Sequence, residues 1–323
     1  MKRIYISFVG LAIFCVVVGV NTSVKAQGFA VQGEPTAFET DIEPSAVEPI
    51  GTGKFLLVAN DKHAELLIVD AQTKAIADNK LSLLSPDAGN PKWEAMAKDG
   101  NDYYIVGNNC LCLLRFSLKS EDEEKAANIA IKEPPKRFPL QKISGGRIEG
   151  LAVWVNDKSE KELVFGVRDE PGLKTIRTYR AKITDNPDLS LVGFFTFSTK
   201  KTKTQPVEWH LSSIEYVQAL DGFLIITSTE DMENKFYGNK LWFVSREKLR
   251  AAQPNSSDSK FKDTTTVMIE SEVFEPMMKA EGLAILQSNE NKKLKIVIVF
   301  DNDYSKTHKT AKLIFVDLDI PIK

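Results

Sequence analysis

The sequence is poor in the residues that build the common catalytic centres. It has 3 histidines and 3 cysteines in 323 residues, and it contains no GxSxG, P-loop, HExxH or GxGxxG motif. These absences argue against an α/β-hydrolase, a P-loop nucleotide hydrolase, a zincin peptidase and a Rossmann dehydrogenase. The segment DNDYS at residues 301–305 begins like a calcium-binding loop but lacks the Gly and the distal Glu that complete one.

Long hydrophobic runs are also scarce, and the one that occurs lies at the N-terminus. Lys2 and Arg3 precede an apolar run over residues 4–20, and VKA ends just before Gln27. This layout is typical of a secretory signal peptide cleaved after Ala26. We therefore expect a signal peptide over 1–26, a single domain over 27–323 and a secreted or periplasmic protein. A retained membrane anchor is the alternative, because the run approaches the length of a spanning helix.

An excess of positive charge is missing as well. The formal net charge is −2, and loss of Lys2, Arg3 and Lys25 with the signal peptide would make it −5. Such a chain has no electrostatic footprint for nucleic acid or an anionic membrane. We expect a monomer whose partner is a small anionic molecule or another protein.

Two cysteines remain after cleavage, Cys110 and Cys112 in NNCLCLLRF. Their spacing places both side chains on one face of a strand, where a bridge between them would close a small, strained ring. Two interpretations stay open, a pair of buried thiols and a labile redox disulfide.

A short motif, in which a glutamate precedes an apolar strand, recurs five times. The copies are PSAVEPIG at Glu48, PKWEAMAK at Glu94, GRIEGLAV at Glu149, SSIEYVQA at Glu215 and MKAEGLAI at Glu281. The spacing of about 45 to 65 residues is in the range of propeller repeats.

Each repeat also contains further short segments rich in β-branched and aromatic residues, which together indicate four strands per repeat. The fifth repeat supplies only three, and GFAVQGEPTAFE near the N-terminus is left over as the natural fourth. The sequence therefore predicts an all-β fold, a five-bladed β-propeller whose last blade is closed by the N-terminal strand. Residues 245–254 predict one short helix.

Charged residues concentrate where the predicted strands meet one face of the disc. The first strand of a blade lines the channel and the second runs back beside it, so the start of the first and the end of the second lie together. Lys92, Arg147 and Lys279 each stand two positions before a repeat glutamate, on the same side of the strand. The predicted ligand-binding residues are Lys92, Arg147, Lys279, Asp61, Asn109, Glu230, Asp301 and Asp303. Candidate catalytic residues are His210, Arg168 and Asp169.

Several glutamates converging on one channel would repel each other unless cations intervene. Either the interleaved Lys and Arg side chains or a bound metal would meet that need. We expect calcium in this role, because a hard cation with oxygen ligands suits carboxylates.

The order of the motifs resembles that of a known family. WEAMAKDGNDYYIVGNN, RIEGLAVWVNDKSEKELVFGVRDEP and AEGLAILQSNENKKLKIVIVFDND look like a bacterial propeller family of unknown function with repeated EGLA-type motifs. More distantly, the chain is similar to esterase-like phytase propellers and calcium-activated nucleotidases. The likeness to the nucleotidases implies a calcium ion held by Glu94, Glu149, Glu215 and Glu281. We expect these four glutamates to approach the channel axis from one face, with Glu48 as a fifth.

Two functional hypotheses follow from different classes. One is a metal-dependent hydrolase of a phosphoester or similar anionic small molecule, in which His210 transfers a proton. The other is a non-catalytic propeller that binds a ligand or a protein, with a structural metal or a salt-bridged channel. Whether the chain is an enzyme stays open at this stage.

Overall fold

The structure is a computed structural model that describes residues 30–51, 53–59, 65–70, 73, 75–77, 80–84, 89–120, 129–140, 143, 146–168, 176–184, 189–198, 210–230, 236–246, 261–262, 278–288, 293–301 and 310–319. For residues 30–41 and several strand ends, the description covers the backbone alone. The predicted signal peptide lies outside the described residues. Within the described ranges, no helix is long and apolar enough to cross a membrane.

The described chain is almost entirely β-strand, arranged in five sheets. The first strand is β1 (Ala30–Asp41). Blade 1 contains β2 (Pro44–Gly51), β3 (Lys54–Ala59), β4 (Glu65–Asp70), β5 (Ala75–Ile76) and β6 (Leu81–Ser82). Blade 2 contains β7 (Trp93–Asp99), β8 (Asp102–Gly107), β9 (Cys112–Ser120), β10 (Ile129–Ile131) and β11 (Lys136–Pro139).

The remaining sheets follow the same meander. Blade 3 contains β12 (Ile148–Val155), β13 (Lys161–Val167), β14 (Ile176–Lys182) and β15 (Ser190–Ser198). Blade 4 contains β16 (His210–Val217), β17 (Gly222–Glu230) and β18 (Phe236–Ser245). The short strand β19 (Phe261–Lys262) adds to the outer edge of blade 3 in parallel. Blade 5 contains β20 (Lys279–Ser288), β21 (Lys293–Asp301) and β22 (Thr310–Asp319).

The N-terminal strand closes the last blade, as predicted. Strand β1 pairs antiparallel with β22, from Ala30 opposite Asp317 to Asp41 opposite Thr310. Blade 5 thus has the order β20, β21, β22, β1, and both ends of the described chain share one sheet. Sharing a sheet in this way pairs the open edge that three strands would leave. The five-bladed propeller is confirmed.

The innermost strands form a closed ring. Strands β2, β7, β12, β16 and β20 contact one another in that order, and β20 returns to β2. Two predicted features lie outside the described residues. These are most of the helix over 245–254, of which Ser245 ends β18, and the outer strand TTVMIES of blade 4.

The described part of the hydrophobic core forms five clusters, and each one lies between two neighbouring blades. Phe165 and Tyr104, for example, belong to the cluster between blades 2 and 3, and Phe223 belongs to the one between blades 3 and 4. The other three join blades 1 and 2, blades 4 and 5, and blades 5 and 1. The apolar faces of the strands therefore hold the ring together, and polar groups are left for the strand ends.

Candidate functional site

A β-bulge lies at the start of the innermost strand in every blade. In blade 2, for example, the pairing with β8 skips one residue between Trp93 and Ala95. The other four blades show the same one-residue shift. From blade 1 to blade 5, the extra residues are Ser45, Glu94, Glu149, Ser212 and Glu281. We call these five residues the mouth ring.

The predicted alignment of the five glutamates was wrong in two blades. Glu48 and Glu215 lie three residues beyond Ser45 and Ser212, so they are one level deeper than the glutamates of the other blades. The equivalent positions elsewhere hold Ala97, Ala152 and Ala284. Glu215 therefore does not belong to the same ring as Glu94, Glu149 and Glu281. We call Glu48 and Glu215 the inner pair.

Each glutamate of the mouth ring is paired with the basic residue two positions before it. Lys92 Nζ lies 3.4 Å from Glu94 Oε1, and Arg147 Nε lies 3.6 Å from Glu149 Oε1. Lys279 Nζ forms the third ion pair, with Glu281. The three carboxylates are buried, and the cations compensate charge that would otherwise be costly to bury.

The three cations differ in exposure. The side chain of Arg147 is 48% exposed and that of Lys92 is 29% exposed, whereas Lys279 is 5% exposed. Arg147 and Lys92 therefore offer positive charge to solvent on blades 2 and 3. Lys279, in contrast, is buried inside the ring and pairs with Glu281 there.

The three carboxylates lie close enough to influence one another. Burial raises the pKa of Glu94 to about 8; the charges of Glu149 and Glu281 add to the rise, and Lys92 opposes it. Burial likewise raises the pKa of Glu281 to about 7, against the opposing effect of Lys279 and Arg168. Burial therefore favours the protonated forms of Glu94 and Glu281 near neutral pH, in addition to their ion pairs with Lys92 and Lys279.

The inner pair is a carboxyl–carboxylate contact inside the channel. Burial raises the pKa of Glu48 to about 8, while a hydrogen bond that it accepts from Glu215 and the charge of Lys98 oppose the rise. Burial of its carboxyl group, with the charge of Glu48, raises the pKa of Glu215 well above the ordinary value. The other three blades have alanine at the equivalent position, so Glu48 and Glu215 are the only ionisable side chains among these five residues.

Asparagines from the preceding blade fix the strand starts in blades 3 and 5. In blade 2, Asn108 Oδ1 accepts from the Ile148 amide at 3.2 Å, and Asn108 Nδ2 donates to the Ile148 carbonyl at 3.4 Å. In blade 4, Asn239 Oδ1 accepts from the Ala280 amide at 2.8 Å, and its Nδ2 donates to the Met278 carbonyl at 3.1 Å. Ile148 and Ala280 directly precede Glu149 and Glu281, so these clamps position two members of the mouth ring.

The remaining predicted residues divide into those placed at the mouth and those not described. His210 begins β16 two positions before Ser212, where blades 2, 3 and 5 have Lys92, Arg147 and Lys279 and blade 1 has Glu43. Arg168 follows β13, and its amide donates to the Arg147 carbonyl at 2.8 Å.

Asp301 is buried at the end of β21, opposite Lys279. The side chain of Glu230 and all of Asp61, Asp169 and Asp303 lie outside the described residues.

Asn109, the predicted ligand-binding residue of blade 2, lies next to an asparagine with a different role. Its amide nitrogen Nδ2 donates to the exposed Asn90 carbonyl at 3.2 Å, while the neighbouring Asn108 holds the next blade. Sequence reasoning also missed Ser45, Ser212 and Asn239. A signal for the serines was present, because S-A-V-E at 45–48 and S-S-I-E at 212–215 match E-G-L-A at 149–152 when Ser is aligned with Glu.

No group of three or more His, Cys, Asp or Glu side chains has the geometry of a metal site among the described residues. Each mouth-ring carboxylate instead faces a Lys or Arg nitrogen. The predicted calcium ion stays a prediction.

No protein-family model and no curated protein matches the sequence. Solved β-propeller structures do match. Glutaminyl cyclase from Myxococcus xanthus has a TM-score of 0.47 and 14% identity, over 91% of this chain and 97% of that chain. The PQQ-bound aldose sugar dehydrogenase from Streptomyces coelicolor has a TM-score of 0.45 and 13% identity, over 90% and 98%. An exo-β-1,3-galactanase from Phanerochaete chrysosporium has a TM-score of 0.46 and 11% identity, over 90% and 65%. At such low identity, their activities are not transferred to this chain.

Proposed function

We propose that this protein is an exported, monomeric β-propeller that binds an anionic small molecule at the mouth of its channel. The observation behind this proposal is the unequal exposure of the paired charges. The carboxylates of Glu94 and Glu149 are buried, while Arg147 and Lys92, which neutralise them, extend into solvent. A ligand that approaches the mouth of blades 2 and 3 meets the cations first.

The arrangement favours an anion over a cation for an electrostatic reason. An anionic group that contacts Arg147 adds a partner to a cation that is already held in place, and a guanidinium offers several donors to phosphate or carboxylate. The proposed contacts are Arg147 and Lys92, with His210 and Ser212 nearby on the rim of blade 4. The Ser212 hydroxyl lies 2.8 Å from the Ser228 hydroxyl, so a buried hydroxyl pair takes the place of a glutamate at this position of the ring.

A second candidate function is metal-dependent hydrolysis of a phosphoester or a similar anionic substrate. The feature that favours it is the mutual electrostatic influence of three buried carboxylates, those of Glu94, Glu149 and Glu281. Calcium bound there would supply Lewis-acid chemistry toward a substrate oxygen. The chain's own contribution would be to orient the anionic group with Arg147 and Lys92 and to exchange a proton through His210.

One experiment on residues 27–323 separates the two candidates. The protein is titrated calorimetrically with inorganic phosphate, glucose 1-phosphate and glucuronate, and it is assayed with 4-nitrophenyl phosphate, each in calcium and in chelator. Saturable binding without turnover supports the binding function, and calcium-dependent turnover supports the hydrolase. Absence of both binding and turnover with all these anions would overturn the proposal.

A matched pair of variants locates the site. Arg147→Gln removes the more exposed of the two mouth cations and should weaken anion binding about tenfold or more, in the range of a lost charge-assisted contact. Lys161→Gln removes an exposed cation on the opposite face, where Lys161 Nζ lies 2.6 Å from Asp99 Oδ1. This second variant should bind the anion as the unmodified protein does.

A further inference from the structure

The turn between β8 and β9 is closed by a disulfide between Cys110 and Cys112, which are two residues apart. The intervening Leu111 has a φ of 43° and a side chain that is 57% exposed. A leucine in the left-handed region is unusual, and an exposed leucine gains nothing from burial there. The disulfide and the backbone contacts around it therefore hold Leu111 in a conformation that it would not otherwise favour.

This turn is hydrogen-bonded to the backbone beside the Lys92–Glu94 ion pair of the mouth ring. The Asn108 amide donates to the Lys92 carbonyl and the Asn109 amide donates to the Pro91 carbonyl, both at 3.0 Å. Sulfur packs directly on the strand end, because a Cβ at Gly107 would lie 2.5 Å from Cys110 Sγ. The segment that leads to Glu94 therefore rests on the turn that the disulfide closes.

The same turn also contacts the strand that carries the Arg147–Glu149 ion pair in the next blade. Asn108 clamps both backbone groups of Ile148, the residue just before Glu149. A change in the position of Asn108 would therefore be felt at Glu94 and Glu149 together. These are the two pairs whose cations are exposed to solvent.

Comparison with blade 5 indicates that the disulfide is not needed to build such a clamp. Asn239 holds the start of β20 with the same two types of hydrogen bond, and no cysteine lies in its turn. A bridge across two residues also constrains the unfolded chain far less than one that closes a long loop. What the bridge adds is local, namely the order of the turn from Asn108 to Leu111.

We propose that Cys110–Cys112 is a reversible redox site that controls the order of the Glu94 and Glu149 sector of the mouth. A dithiol reductant attacks the sulfur of Cys110, a partly exposed residue, and Cys112 leaves as a thiolate. The second thiol of the reductant then resolves the mixed disulfide. Two electrons pass from the dithiol to the protein, the reductant becomes a disulfide, and its two thiol protons end on Cys110 and Cys112.

In the reduced protein the turn is held by hydrogen bonds alone. Leu111 can then leave the left-handed region, and Asn108 loses the rigid support that fixes Ile148. The regulatory meaning of this change rests on the proposed function, because a looser sector would hold an anion less firmly. The structural change itself does not depend on any ligand.

The test is hydrogen–deuterium exchange of the folded protein before and after treatment with dithiothreitol, with free thiols counted in parallel. Peptides that contain the Asn108, Asn109 and Ile148 amides should exchange about tenfold faster or more after reduction, since local opening sets these rates. The Ala280 amide, held by Asn239 in blade 5, is the internal control and should not change. Equal exchange at Asn108 and Ile148 in both states, or a disulfide that resists reduction in the folded protein, would overturn the proposal.

The Cys110→Ser variant completes the experiment. It cannot form the bridge and leaves the fully buried Cys112 in place, so its exchange should match that of the reduced protein and should not respond to dithiothreitol. If Cys110→Ser instead exchanges like the oxidised protein, the bridge does not order the turn. Because no ligand is used, a failure of anion binding in the calorimetric titration would not affect this result. Equal exchange in both redox states would likewise leave the proposed anion binding untouched.

Discussion

Glu48 and Glu215 meet across the channel and share a hydrogen bond, although they come from blades 1 and 4, which are not neighbours. Blade 5 separates them in the ring, and its residue at this level is Ala284. Two carboxyl groups in hydrogen-bond contact inside a protein share a proton, because two buried negative charges at this distance would repel strongly. The channel below the mouth therefore contains a proton-binding pair.

This pair predicts an unusual dependence of stability on pH. Burial raises the pKa of Glu48 to about 8, above its ordinary value of 4.5, so the folded protein keeps a proton that the unfolded chain releases. The free energy of unfolding should therefore fall as pH rises from about 4.5 to about 8, by an amount on the order of a few kcal/mol. Denaturant titrations at pH 5, 6, 7 and 8 measure it, and a flat or rising trend would contradict the assignment.

Replacing both members of the pair by Gln should reduce that loss of stability. The double variant Glu48→Gln, Glu215→Gln keeps the shape and the hydrogen-bonding capacity but cannot ionise. Its free energy of unfolding should vary less between pH 5 and 8 than that of the unmodified protein. Glu160→Gln is the control, because the pKa of Glu160 is lowered by hydrogen bonds from Asn156 and Lys182, and this exposed group completes its titration at lower pH.

The asparagine clamp in blade 4 should be a large local contributor to stability. Asn239→Ala leaves the Ala280 amide and the Met278 carbonyl without their partner in a buried position, which costs about 1 to 3 kcal/mol. Asn109→Ala is the matched control, because it removes an exposed asparagine that bonds only the Asn90 carbonyl through its side chain. Urea denaturation should show a lower midpoint for Asn239→Ala and almost no change for Asn109→Ala.

The fold could be predicted from the sequence because the repeat is visible in the strands themselves. Alternating apolar segments and turn residues define the blades, and the spare N-terminal strand β1 indicated how the ring closes. The level of each charge was harder to predict, because a bulge adds one residue without changing the composition of a strand. Glu48 and Glu215 therefore aligned with Glu94 in sequence, although the serines three residues earlier occupy that position. The Asn239 clamp comes from a third strand, and no local pattern marks it.

The glycine of the E-G-L motif should be required by close packing between blades. A Cβ on Gly282 would lie 2.6 Å from Val299 Cγ2 and 2.8 Å from the Ala46 Cα of blade 1. The Ala46 backbone cannot move aside as a flexible side chain can. Gly282→Ala should therefore lower the free energy of unfolding by about 1 to 3 kcal/mol. Blade 2 has Ala95 at the equivalent position, so whether a Cβ fits there depends on the strand of the neighbouring blade. The thermal midpoint of Gly282→Ala measures the effect, and a midpoint equal to that of the unmodified protein would contradict it.

The last prediction concerns calcium at the mouth ring. Glu94, Glu149 and Glu281 are close enough to influence one another, and carboxylate oxygens are the ligands that calcium prefers. Their Lys and Arg partners compete for the same oxygens, and two of these cations, Lys92 and Arg147, have side chains that reach solvent. Binding to the folded ring alone would stabilise the protein by about 2.7 kcal/mol at a hundredfold excess of calcium over its Kd.

Thermal unfolding in calcium and in chelator tests this prediction, with two variants that differ only in which carboxylates they lack. The double variant Glu149→Gln, Glu281→Gln removes two of the three mouth carboxylates and should lose the calcium-dependent rise in Tm. The inner-pair variant Glu48→Gln, Glu215→Gln keeps all three and should retain the rise, because the register places those glutamates one level deeper. Equal melting of the unmodified protein in calcium and in chelator would show that Lys92, Arg147 and Lys279 neutralise the ring without a metal.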